Sequence, residues 1–308
     1  MSDFPWLDSY QYKLTELAEA GQLHHALLLT GPLGIGKLAL AKRLAAYLLC
    51  KSPQQQLPCG LCKSCQLMAS GHHPDLWQLP TEGSSSIGVD PIRALGQFMQ
   101  GASQQGGVKL ALIPQAELMT EAAANALLKT LEEPPQNSFL ILQSAHPAQL
   151  LPTILSRCQR WDLAPLTASQ LSDYLRTQQQ GPVPDFIVSF SGGAPLKALS
   201  LLQSSELQTL QQLITQLQQF IRSTEPLAPL LKQLEGRSDL TLLLSYVLRE
   251  QIVTMPMLAP AQMQGLQQSL FRFCRDEQQI LGQNKALALS ALLTEWRALL
   301  RAGRPGRD

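Results

Sequence analysis

Residues 26–38 read Ala26-Leu27-Leu28-Leu29-Thr30-Gly31-Pro32-Leu33-Gly34-Ile35-Gly36-Lys37-Leu38. A short apolar run suited to a buried strand meets a glycine-rich turn, and a helical pattern from Lys37 to about Leu49 follows. From Gly31 to Lys37 the turn fits the first seven elements of G-x4-G-K-[ST], in the strand–turn–helix setting that motif needs. Glycines there let backbone N–H groups wrap a phosphate, and the lysine reaches its outer oxygens. Gly31, Gly34, Gly36 and Lys37 are therefore candidate phosphate-binding residues. The eighth element should be a serine or threonine whose hydroxyl ligates magnesium, and Leu38 has none.

Working outward, the first 165 residues alternate helix and strand. Tyr10–Ala20 reads as a helix. Strand candidates follow at Asp75–Leu79, Val108–Ile113 and Phe139–Ser144, with helices near Pro91–Met99 and Glu121–Glu132 between them. Asp90 is an N-cap acceptor and Pro91 a first helical residue in this reading. Pro134-Pro135 stops the later helix. Strands alternating with helices predict an α/β fold, a parallel sheet covered on both faces. In a phosphate-loop ATPase the strand corresponding to Val108–Ile113 ends in acids that hold magnesium and polarise water. Here it runs into Pro114 and Gln115, and Glu117 stands three residues off the strand end. Both halves of a magnesium site are missing, which predicts a chain without its own ATP hydrolysis.

Beyond residue 165 the pattern turns helical. Thr167 caps a helix to about Gln178, Pro184–Ser191 forms a second, Gly192-Gly193 stops it, and Pro195 opens a third. Glu206–Arg222, Pro226–Leu234, Asp239–Met255, Ala261–Leu281 and Asn284–Arg301 are rich in Gln and Leu. Their apolar residues recur every three or four positions, so they read as packed helices. The expected domains are residues 1–165, a small helical domain at 166–207 and an all-α domain at 208–308. The end, Ala302–Asp308, reads as a frayed tail.

Cys50, Cys59, Cys62 and Cys65 carry the strongest chemical signal. Four thiolates at this spacing can close a tetrahedral zinc site within residues 50–65, and a fully sulfur-liganded ion is structural rather than catalytic. Such a site supplies folding energy to a segment too small for its own core. The loop from Lys51 to Ser64 holds two lysines and no aromatic residue, which argues against its reading DNA alone.

Composition narrows the rest. With 24 Lys and Arg against 23 Asp and Glu, the net charge of +1 argues against a polybasic nucleic-acid arm. The N-terminus lacks the basic and apolar regions of a signal peptide, and no stretch reaches the ~18 apolar residues of a membrane span. A cytoplasmic location is expected, where clustered cysteines mean metal rather than disulfides.

The segment Thr120–Pro135, containing Asn125, Lys129, Glu132 and Glu133, together with Ser156-Arg157-Cys158, resembles the clamp-loader branch of the AAA+ ATPases. With the glycine loop and the cysteines, the resemblance covers nearly all of the first 165 residues. It implies an AAA+ P-loop module with a zinc insertion, a helical lid and a C-terminal helical collar for oligomerisation. It also implies a heteropentamer with delta and tau/gamma subunits that loads the sliding clamp on primed DNA. In that setting Arg157 would act in trans, as an arginine finger on ATP held by a neighbour. Motor subunits of the tau/gamma kind would keep an intact magnesium site, whereas this chain resembles a subunit that has lost it. Leu196 stands before Lys197 where an ATP-sensing arginine is expected. ATP binding through Gly31–Lys37 alone remains open. The competing readings are an active motor subunit and a stand-alone zinc module that binds nucleic acid.

Overall fold

The structure, a computed structural model, describes residues 4–80, 86–178, 181–222, 226–237, 239–255, 258–279 and 284–301. The Ala302–Asp308 tail and the end of the Ala261–Leu281 helix lie outside the described residues. Two compact units emerge, one formed by residues 1–181 with 192–197, the other by residues 182–191 with 198–308.

The first unit runs α1 (Asp8–Glu19), β1 (Ala26–Thr30), α2 (Lys37–Leu49), α3 (Lys63–Ala69), β2 (Leu76–Gln78), α4 (Val89–Gln100), β3 (Lys109–Ile113), α5 (Glu121–Glu132), β4 (Ser138–Ser144), α6 (Pro152–Leu155), β5 (Gln159–Asp162) and α7 (Ala168–Gln178). Its five strands form one sheet in the order β2-β3-β4-β1-β5, with every pairing parallel. Leu27 and Leu29 of β1 point into a core with Leu40 and Leu44 of α2. Ala26 and Leu28 point the other way, toward Leu95 of α4 and Leu127 of α5. Because side chains alternate along a strand, a run buried on both faces is largely apolar, as β1 and β3 are apart from their end residues Thr30 and Lys109.

The α/β expectation holds, and four strands fall within a residue or so of their expected spans. β5 was not expected. Its Gln159-Arg160-Trp161-Asp162 is polar and alternates half-buried with exposed, as an edge strand can. The start at Asp90-Pro91 is corrected: the helix begins at Val89 behind Gly88, with no side-chain cap, and Asp90 lies in its first turn. Pro91 is tolerated there because N–H groups of the first turn have no intrahelical acceptor. Thr120, not singled out in the sequence, caps α5, its hydroxyl accepting from the Ala123 amide at 3.2 Å. Thr167 caps α7 reciprocally with Gln170.

The second unit is helical: α8 (Asp185–Phe190), the remainder of α9 (Pro195–Gln203), α10 (Leu207–Arg222), α11 (Ala228–Leu234), α12 (Leu240–Thr254), α13 (Pro260–Gln279) and α14 (Lys285–Arg301). Leu210, Leu213, Leu217, Leu243, Val247 and Leu293 make a core around Trp296, which is fully buried. The indole donates to Ser269 Oγ at 2.9 Å, so its one polar atom is satisfied. The glutamines between the leucines stay mainly on the outer faces, which distinguishes packed amphipathic helices from a low-complexity tract.

Candidate functional site: a glycine loop and a cysteine knuckle joined by one helix

The glycine loop forms at the carboxyl end of β1. Gly31, Gly34 and Gly36 all take positive φ (142°, 83° and 104°), a region open to glycine and strained for other residues. Each glycine also faces a close neighbour. A Cβ at Gly31 would stand 2.6 Å from the Leu163 carbonyl oxygen, and one at Gly34 2.8 Å from the Lys197 backbone. At Gly36 it would meet Leu7 at 3.0 Å. The Leu196 amide donates to the Gly34 carbonyl at 3.0 Å, tying the start of α9 to the loop tip.

Lys37 turns back on the loop. Its ammonium donates to the Gly31 carbonyl at 2.7 Å and the Pro32 carbonyl at 3.1 Å. Burial pushes its pKa below the ordinary lysine value, opposed by the charge of Glu117. Beside it lies a cavity of about 210 Å³ lined in part by Leu38, Pro114, Gln115, Gln143 and Leu196. Among the described residues lining it, Lys37 alone is charged. Leu38, Pro114 and Gln115 thus border the place where a magnesium ion would need oxygen ligands. Gln143 escaped notice in the sequence because it sits inside an apolar strand. Its Nε2 and the Glu117 Oε2 are buried without a hydrogen-bond partner, while Glu117 Oε1 accepts from the Ala145 amide at 2.9 Å.

The cysteines sit at the other end of α2. Cys50 closes that helix, Cys62 caps α3, and Cys65 lies in α3's first turn. The four Sγ atoms all lie within 4.8 Å of one another, close enough to share one metal ion, and Cys59 and Cys65 are 3.9 Å apart. Amides turn inward as well: Cys59 N–H donates to Cys50 Sγ and Cys62 N–H to Cys59 Sγ. Donation from the Cys62 and Leu61 amides brings the Cys59 thiol down to about 6, while burial pushes Cys65 up to about 12. His72 and His73 are not part of the cluster. His73 is buried, its Nε2 3.1 Å from Ser64 Oγ and its Nδ1 accepting from the Asp75 amide, so it braces α3 from behind.

Arg157 follows α6. Its guanidinium reaches Glu132 Oε1 at 2.6 Å and the Thr153 carbonyl at 3.0 Å. A third bond runs to the Ser156 hydroxyl at 3.3 Å. Next to it Cys158 packs against the core, its thiol pushed up to about 12 by burial, which disfavours the thiolate.

A parallel sheet with helices on both faces, a glycine loop after its β1 strand and helical elements beyond it define a P-loop module of the AAA+ class. A structure described as a DNA polymerase III gamma subunit-related protein from Thermotoga maritima shares this fold, with a TM-score of 0.53 at 20% identity over 94% of this chain and 98% of that one. Among curated proteins, DNA polymerase III subunit delta' of Yersinia pestis is 43% identical over 211 residues, covering 66% of this chain. The protein of the same description from Escherichia coli is 39% identical over 208 residues, covering 67%. The matched stretch spans 62% of the length of each of these relatives. The family described as "DNA polymerase III, delta subunit" matches residues 8–167. The chain belongs to the delta' family of DNA polymerase III subunits.

Proposed function

We propose that the chain is a non-hydrolysing subunit of a bacterial clamp loader, a cytoplasmic assembly with delta and tau/gamma partners that places a sliding clamp on primed DNA. The observation that carries this reading is the loop cavity, bordered by Leu38, Pro114 and Gln115 where a magnesium site needs a hydroxyl and carboxylates. Family membership supports the assembly. The self-bonded Lys37 and the Leu196 side chain at the cavity further disfavour ATP as a substrate of this chain.

Arg157 is then a donor to ATP bound by a neighbour. A guanidinium is permanently charged and forked, suited to charge developing on phosphate oxygens. Residues 166–207 serve as a lid and 208–308 as the collar that holds the subunits together. The cysteine cluster holds a structural zinc, for which thiolates ~2.3 Å from the ion stand ~3.8 Å apart. The Cys59–Cys65 separation of 3.9 Å agrees with that.

Reconstitution tests the reading. The isolated chain should turn over no ATP, and the chain mixed with delta and tau/gamma should assemble and show DNA-stimulated ATPase. Arg157→Ala should assemble normally and show reduced stimulation. Arginine fingers contribute ~10³–10⁵ in rate in other phosphoryl-transfer systems, and one site of several in an oligomer will show less. Unchanged ATPase would remove the finger, and failed assembly would make Arg157 an interface residue instead.

A further inference from the structure

We infer that Glu132 is a positioning residue for Arg157: it holds the guanidinium in a self-paired state that an incoming phosphate must displace. The inference rests on Arg157 acting in trans. Its observation is the 2.6 Å contact from Arg157 Nη2 to Glu132 Oε1, with Nη1 engaged by the Thr153 carbonyl and the Ser156 hydroxyl. A guanidinium offers five N–H donors. Three of the bonds seen here use both terminal nitrogens, the pair that grips a phosphate in a forked contact.

Position adds to the pairing. Glu132 is the last residue of α5, so the guanidinium lies at the end of a helix where unpaired carbonyls carry partial negative charge. Carboxylate and helix end attract the arginine from one side. Both partners are nevertheless partly exposed, 34% for the Arg157 side chain and 50% for Glu132, and an exposed pair is weak. A buried pair would lock the arginine permanently, whereas this one is loose enough to exchange for a triphosphate, the more highly charged anion. The contact therefore delays the finger without preventing it, and its loss should favour ATP engagement before DNA is present.

Two measurements separate this inference from the reading beneath it. In the isolated chain, ¹⁵N-resolved NMR of the arginine side chains should show restricted rotation of the Arg157 guanidinium. Glu132→Gln should release that restriction and Glu132→Asp should largely keep it. In the reconstituted assembly, Glu132→Gln should raise DNA-independent ATPase about two- to five-fold and lower the KM for ATP by a similar factor. That range corresponds to release of an exposed ion pair worth ~0.5–1 kcal/mol. Glu132→Asp should stay near the unmodified protein. ATPase falling to the Arg157→Ala level would mean that Glu132 holds the productive pose, overturning the self-paired state. Unchanged basal rate and KM would overturn it as well. If Arg157→Ala itself alters nothing, the finger is gone and this inference goes with it. A guanidinium that rotates freely in the unmodified chain would remove the pairing on its own evidence.

Discussion

Helix α2 begins in the glycine loop and ends at Cys50, so two loops of opposite character sit ~20 Å apart on one element. At the first, polar groups have turned inward: Lys37 bonds its own loop carbonyls, and Leu196 takes the Gly34 carbonyl. At the second, four sulfurs converge, and the bonds they make among themselves and to nearby amides are long ones of the sulfur type. The glycine loop holds its shape while the cavity beside it is lined mainly by apolar and amide side chains. The knuckle keeps its donors and has almost no core of its own. A motif carries chemistry only where its reactive atoms lack better partners within the chain.

Metal removal tests that contrast most severely. Chelation, or Cys59→Ser, should release about one zinc per chain and unfold residues 50–69 while the sheet persists. Loss of a structural metal belongs among the few changes that cost more than ~4–5 kcal/mol. Metal analysis with thermal melts checks it, and a metal-free chain that melts unchanged would erase the difference between the loops. Retention should also weaken as pH falls, because protons compete with the ion for the thiolates.

Gly34→Ala probes the other end. If the glycine is needed for packing against Lys197, the variant should lose stability without any nucleotide present. Strain at a positive φ costs ~1–3 kcal/mol, and the 2.8 Å approach to the Lys197 backbone adds to it. Equal stability in denaturant melts would return the glycine to a ligand role.

Much of this was legible in advance because burial forces pattern. Apart from the end residues Thr30 and Lys109, β1 and β3 are apolar since both faces are covered, and Thr167 announces its helix by hydrogen bonds local in sequence. The cysteines declared themselves because their spacing fits a metal-ligand pattern, and the fold brings all four sulfurs together. What stayed hidden depends on distant partners. β5 is an edge strand with too little burial to imprint its sequence. Gln143 and Glu132 acquire their surroundings only when β4, α5 and α6 come together. Lys37's inward turn could not be read either, since the same residue in the same motif can face out or in.

The smallest expected effect concerns that lysine. Its pKa is lowered by burial, so between that value and the ordinary 10.5 the unfolded chain holds a proton that the folded chain sheds. Stability therefore gains a contribution that rises with pH across this window. Lys37→Met should remove this contribution, visible as a changed pH dependence of the denaturation midpoint below ~10.5. An identical profile in both proteins would mean that the ammonium is solvated and free to meet a phosphate.

The crowding around Gly31, Gly34 and Gly36 bears on how such chains change over generations. Positions whose side chains would meet a ligand can drift as soon as the chemistry is dispensable, and on the proposed reading Leu38, Pro114 and Gln115 stand at such positions. Positions whose missing side chains make room for Leu163, Lys197 and Leu7 have no such liberty. On the proposed reading, a loop without its chemistry would therefore keep the fingerprint by which it is counted as active. Its history is written in the residues around the glycines, and the glycines themselves record only the architecture.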